Sequence, residues 1–144
     1  MSAKGTPILL VEDDPNDVLL FRRALRRAEA SAPVVVAQDG DEAVRYLSGG
    51  DGAPHPGLVI LDLKLPRRSG LEVLEWIRGQ PEIRRLPVIF LTSSRQPRDI
   101  EAAYELGANS YLVKPVDFDD LLEMVRTLLR YWIGLNELPR VGHG

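Results

Sequence analysis

The sequence predicts an open, doubly wound α/β fold: a five-stranded parallel sheet with helices on both faces. Three observations predict it. Short apolar runs alternate with longer stretches whose apolar residues recur every three and four positions, which is a βα repeat. The runs are rich in Val, Ile and Leu without polar alternation, as in parallel strands covered on both faces. Finally, a length of 144 residues is one domain by the usual prior of roughly 150 residues, and it excludes a closed eight-fold barrel. Right-handed crossovers then distribute the helices to both faces of the sheet.

The strand-like runs are residues 7–12 (PILLVE), 33–38 (PVVVAQ), 58–62 (LVILD), 86–92 (LPVIFLT) and 110–113 (SYLV). Asp14 followed by Pro15 is a cap residue and a first-turn proline, so the first helix starts at Pro15. Val18, Leu19, Phe21, Leu25 and Ala28 are its expected inward stripe. Residues 40–47, 70–78 and 97–106 read as the second, third and fourth helices, and Gly107 stands where a left-handed C-terminal cap belongs. The fifth helix is expected from about 117 through 131, with Leu121, Leu122, Val125, Leu128 and Leu129 facing the core. Residues 48–57 (SGGDGAPHPG) form a loop by their Gly and Pro content. The expected organisation is a disordered N-terminus at 1–5, one domain over 6–131, and a C-terminal extension over 132–144 that frays from Pro139.

Composition narrows the function. Hydrophobic residues are 44% and charged residues 27% of the chain, ordinary for a globular domain. With no cysteine there is no disulfide framework, thiolate zinc site or cysteine nucleophile, and a reducing compartment is the default. His55 and His143 are too few for a histidine-built metal site. A net charge of −3 without a dense basic stripe argues against nucleic-acid binding. No run approaches the roughly 20 apolar residues of a bilayer span, and residues 1–7 lack a signal-peptide core. A cytoplasmic protein without membrane contact is expected. Lysine occurs only at Lys4, Lys64 and Lys114, arginine supplying every other basic position. A lysine inside an apolar segment of such a chain points to a need for a compact ammonium.

Open parallel sheets bind ligands outside the carboxyl ends of their strands. The first strand ends in Glu12 and Asp13, the third in Asp62, the fourth in Thr92 and Ser93, and the fifth runs into Lys114 and Pro115. Asp14 accounts for helix capping, which leaves Glu12 and Asp13 for other work. Asp62 closes the apolar run LVIL, where its charge is costly without a positive partner. Three converging carboxylates repel one another, so their joint presence implies a cation. An all-oxygen set with open positions suits Mg²⁺, which keeps waters and accepts a phosphate ligand. Beside the acids, Lys114 serves as a point charge and Thr92 as a hydroxyl donor to an anion. Taken singly, these residues also read as a solvated acidic turn, a turn aspartate, a snorkelling lysine and a strand-filling threonine. As a set, they offer a carboxylate nucleophile with the means to neutralise a transferring phosphoryl group.

The motifs ILLVEDD, VILDLKLPRRSG, PVIFLTSS and YLVKP, in that order, make the chain resemble the receiver domain of two-component response regulators from Ile8 to about Tyr131. The resemblance implies the flavodoxin-like strand order 2-1-3-4-5 and a Mg²⁺-dependent transfer from a histidine kinase to Asp62. It implies Asp13 as a direct Mg²⁺ ligand, Glu12 as a ligand mostly through water, and the backbone carbonyl of Lys64 in the metal shell. Thr92 would bond the phosphoryl group and follow it inward, Lys114 would pair with it, and Tyr111 would report the state by its rotamer. Further implications are a cis Lys114–Pro115 bond and Gly70 at the start of the third helix. Receivers catalyse only their own phosphorylation and dephosphorylation, and no DNA-binding appendage is expected, so output would pass to a protein partner or a phosphotransfer protein. The apolar surplus Tyr131, Trp132, Ile133, Leu135 and Leu138 suggests an interface. It resembles the tails of single-domain regulators of phytochrome-type kinases, implying a homodimer. The alternative is a tail folded over the protein's own core.

Competing readings fail on particular residues. A dehalogenase-type phosphatase needs an acid two residues after its aspartate nucleophile, where this chain has Lys64. A flavin-binding module needs a Ser/Thr/Gly-rich first βα loop, whereas this loop carries three acids and a proline. A degenerate scaffold would not keep Glu12, Asp13, Asp62, Thr92 and Lys114 together.

Overall fold

A computed structural model describes residues 6–49, 52 and 54–139. The elements run β1 (Ile8–Val11), α1 (Pro15–Arg27), β2 (Val34–Ala37), α2 (Gly40–Leu47), β3 (Leu58–Leu61), α3 (Gly70–Arg78), β4 (Val88–Thr92), α4 (Pro97–Glu105), β5 (Ser110–Val113) and α5 (Phe118–Leu128). All pairings are parallel, and the strand order is β2-β1-β3-β4-β5, as the resemblance implies. The expected disorder of 1–5 and most of the frayed tail lie outside the described residues.

Two apolar layers flank the sheet. Phe21, Ala24 and Leu25 of α1 pack with Leu122, Val125 and Leu128 of α5 against Ile8, Leu10, Ile60, Ile89 and Leu91. On the other face, Ala43, Leu47, Val73, Leu74, Ile77 and Ala103 of α2 to α4 meet Leu9, Val11, Val59, Leu61, Val88 and Phe90. Successive strand residues thus serve opposite layers, and β1, β3 and β4 are buried throughout. Leu19, expected inside, is 53% exposed. Two residues at 100° each carry it away from buried Phe21, to the far side of α1.

The helix starts follow local chemistry. Asp14 accepts the Asn16 N–H ahead of Pro15, Asp39 accepts from Glu42 N–H, and Ser69 and Glu72 form a reciprocal capping box. Gly107 has φ +100°, as expected of its cap position. Gly70 is required for a different reason: a Cβ there would lie 2.2 Å from the Asp62 carbonyl oxygen, and at Gly40 one would lie 2.1 Å from that of Arg68. Both helix starts therefore press on the backbone that follows β3.

Beyond Leu128, α5 widens into a π-helical segment, Leu129–Leu135, where an α-helix through Tyr131 was expected. Leu129, Trp132 and Ile133 continue the stripe against the α1/α5 layer. Trp132 and Ile133, expected in an interface between copies, lie half-buried against this layer. Tyr131 and Leu135 stay 53% and 67% exposed, with the Tyr131 ring edge-on to Trp132 at 5.0 Å.

At the end of the sheet away from the strand C-termini, Arg78 acts as a clasp. Its guanidinium donates to the carbonyls of Gly107, Arg84 and Leu86 and to Asn109 Oδ1 at 2.7–3.1 Å, tying the end of α3 to the segments that lead into β4 and β5. No lysine reproduces that fork. Arg78→Lys is expected to lower unfolding stability by roughly 2–4 kcal/mol in urea titration, from the loss of charge-assisted bonds.

Candidate functional site

Strand register sets the site. Val11 pairs with Leu61, so Glu12 and Asp62 emerge side by side, held by Glu12 N–H to the Ala37 carbonyl at 2.9 Å and Asp62 N–H to the Val11 carbonyl at 3.0 Å. Thr92 pairs with Val113, and the Lys114 N–H donates to the Thr92 carbonyl at 2.8 Å. All four side chains therefore open on the same edge of the sheet.

Glu12, Asp62 and Thr92 are buried, at 4%, 8% and 2% exposure, while Asp13 is exposed. Carboxylate oxygens of Glu12, Asp13 and Asp62 lie within 4.8 Å of one another. The Lys114 ammonium reaches Glu12 Oε1 at 2.7 Å, Asp17 Oδ2 at 2.8 Å and Asp62 Oδ2 at 2.9 Å. The other Asp62 oxygen accepts a long 3.4 Å bond from the Lys64 N–H, which brings the Lys64 backbone to the site. The Asp14 N–H donates to Glu12 Oε2 at 3.1 Å.

Asp17 is the residue that sequence reasoning missed. Its signal was present: three residues after the cap Asp14, it lies in the first turn of α1, directly above the strand ends. Tyr111 is half-buried beside Phe90, with ring centroids 5.9 Å apart. Its hydroxyl donates to the Ser94 carbonyl at 3.0 Å, and the Ser94 hydroxyl donates to Asp99 Oδ2 at 2.5 Å. The β4–α4 loop is thereby tied to β5. The Lys114–Pro115 bond, expected cis, is trans, since no cis peptide occurs among the described residues. Trans is the lower-energy isomer of an X–Pro bond by roughly 0.5–1 kcal/mol, and Lys114 meets its three acids from that backbone.

Electrostatics follow from burial and pairing. Burial opposes the charge on Lys114, but hydrogen bonds to Asp17, Glu12 and Asp62 outweigh it and raise its proton affinity above the ordinary lysine value. Burial pushes Glu12 up from 4.5 to about 7, and the Asp62 charge adds to this, against the opposing bonds from Lys114 and the Asp14 N–H. Burial also raises Tyr111, with Asp99 and Asp62 adding to the shift against its bond to Ser94. The donor set fits a hard divalent cation, being three carboxylates on one rim with the most exposed of them, Asp13, facing solvent.

A doubly wound sheet whose strand ends gather an acid pair, an aspartate, a threonine and a lysine defines a class of phosphoryl-handling α/β domains. The chain belongs to the response regulator receiver domain family, whose pattern it matches over residues 8–126. Among curated proteins it is 40% identical over 134 residues to the probable methanogenesis regulatory protein FilR2 of Methanothrix harundinacea, covering 92% of this chain and 86% of that one. It is 36% identical to the response regulator Rcp1 of Synechocystis, covering 96% and 99%. The crystal structure of Mn²⁺-bound Rcp1 superimposes with a TM-score of 0.85 over 93% of this chain and 99% of that one. That of the phosphorylated cyanobacterial phytochrome response regulator RcpA, 35% identical, gives 0.88 over 93% and 98%.

The raised Glu12 value has a consequence for stability. Between its unfolded pKa of 4.5 and about 7, the native state holds a proton that the unfolded chain has lost, so the Glu12 contribution is full below 4.5 and is lost as pH rises through about 7. Glu12→Gln does not titrate. Its stability relative to the unsubstituted protein, measured by urea unfolding without divalent ions, is expected to be higher at pH 7.5 than at pH 5 by the order of 1–2 kcal/mol.

Proposed function

We propose that this chain is a Mg²⁺-dependent phospho-accepting switch that receives a phosphoryl group from a sensor histidine kinase onto Asp62. The carrying observation is the Asp62 carboxylate, buried at the end of β3, 2.9 Å from Lys114 and clustered with Glu12 and Asp13. One Asp62 oxygen attacks phosphorus as the P–N bond to the kinase histidine breaks, giving an aspartyl phosphate and free histidine. Glu12, Asp13, Asp62 and the Lys64 carbonyl would hold Mg²⁺, which supplies charge neutralisation to the phosphoryl oxygens. Lys114 pairs with one of the incoming oxygens, and the Thr92 hydroxyl bonds another. The buried position of Thr92 supports this role.

The switch is a population shift: new partners for Thr92 and Lys114 favour a different arrangement of the Tyr111–Ser94–Asp99 ties. The protein catalyses only its own phosphorylation and dephosphorylation, and signals by protein contact or by onward phosphotransfer in the cytoplasm. No described helix is long and apolar enough to cross a membrane. A phytochrome-type kinase is the proposed partner, supported by the likeness to the phytochrome response regulator RcpA. A two-fold homodimer is proposed through the surface that includes exposed Tyr131 and Leu135.

Acetyl phosphate with Mg²⁺ is expected to add one phosphoryl mass to the protein and none to Asp62→Asn. Equal labelling of both overturns the assignment. Neither Lys64 nor Ser94 suits the orientation of an attacking water, and the Ser94 hydroxyl is already engaged by Asp99. The phosphorylated form should therefore persist for hours, as followed by intact mass after removal of the donor; decay within seconds contradicts this. Light scattering at high concentration is expected to give twice the monomer mass of 16.1 kDa, and Leu135→Glu to lower it.

A further inference from the structure

Lys114 has more partners than accepting a phosphoryl group requires. Two of its acids, Glu12 and Asp62, belong to the three-carboxylate cluster; the third, Asp17, does not. The ammonium thus sits where it neutralises two of the groups a divalent cation needs. A cation entering that cluster removes acceptors from Lys114 and repels it across a short distance, in a setting where water screens little. Lys114 is only 19% exposed, so solvent cannot take over as its main partner.

Resting on the proposed metal-dependent function, we infer that Asp17 is a positioning residue that takes over the Lys114 ammonium when a divalent cation claims Glu12 and Asp62. Three observations carry this. Asp17 is already bonded to Nζ at 2.8 Å, so no rearrangement precedes the hand-over. It stands on the first turn of α1, a different element from the strand-end acids, and its side chain is 32% exposed, so its charge is less costly than that of Glu12 or Asp62. A cavity of about 50 Å³ adjoins the pair, lined by Glu12, Asp17 and Lys114 with Leu20, Phe21 and Leu91, which leaves room for the ammonium to move toward α1. The simpler role for Asp17, an acid favourable to the dipole of a helix start, explains its position but not its contact with Lys114.

The test separates a relay through Lys114 from a plain charge effect. MgCl₂ is titrated by calorimetry into the full-length unphosphorylated protein, Asp17→Asn, Asp17→Glu, Lys114→Met and the Asp17→Asn/Lys114→Met double variant, each checked for folding by circular dichroism. Asp17→Asn is expected to weaken Mg²⁺ binding by about fivefold, the scale of a partly exposed ion pair, and Asp17→Glu to restore most of it. In the Lys114→Met background, the same substitution is expected to change binding less than about twofold, as the coupling in a double-mutant cycle requires. Equal weakening in both backgrounds, or none in either, overturns the inference while leaving the proposed function standing. Absence of Mg²⁺ binding by the unsubstituted protein overturns both. Should Asp17→Asn not fold, Asp17→Ser takes its place and is read by the same criteria.

Discussion

One ammonium group organises the strand-end surface. Glu12 and Asp62 are buried, and their charges repel each other; Lys114 compensates both at 2.7 and 2.9 Å while binding Asp17 as well. A planar guanidinium spreads its donors over a wide fork, whereas a compact ammonium offers three donors from one point to carboxylates that converge on it. In a chain that otherwise uses arginine almost everywhere, that requirement accounts for a lysine at the end of an apolar strand. The raised proton affinity of Glu12 comes first from its burial, with the neighbouring Asp62 charge adding to it and the bond from Lys114 opposing it.

The sheet makes this crowding geometrically possible. Parallel register puts the residues just past β1, β3 and β5 on one edge, and β1 and β3 are direct neighbours. The two apolar layers make the strands rigid enough to hold carboxylates where isolated side chains would splay apart. Stability of the core and frustration at its rim are thus supplied by adjacent residues in the same strands, with Leu61 fully buried and apolar and Asp62 beginning the polar surface.

Much of this was readable from the residues because strands and caps are local features. Apolar runs marked the five strands, Asp14–Pro15 and Gly107 marked helix ends, and polar residues at strand ends marked the site. The misses have non-local causes. Leu19 belongs to an apolar group, but only the rotation of α1 against the sheet decides which members face inward. Asp17 could be placed near the strand ends from its position in the first turn of α1, but its partner is a lysine 97 residues later in the chain, which local pattern does not disclose. Trp132 and Ile133 are apolar enough for an interface or a core, and the helical stripe running on from Leu129 leaves them half-buried against the core. The expected cis proline came from family likeness rather than from any physical feature of the sequence, and the trans bond shows the limit of that borrowing.

Gly40 and Gly70 leave the backbone after β3 no slack. Each helix start lies so close to a carbonyl of that segment that even a methyl group would collide, and Arg67 within it holds a left-handed φ of +69°. On the other flank, the cap residue of α4, Gln96, makes no side-chain bond, and the start of that helix is tied by the Ser94 hydroxyl to Asp99. The rim therefore has one stiff bank and one compliant bank. The stiff bank is closed by backbone contacts that admit no extra atom, and the compliant one by side-chain hydroxyls of Ser94 and Tyr111 that can exchange partners without disturbing the sheet.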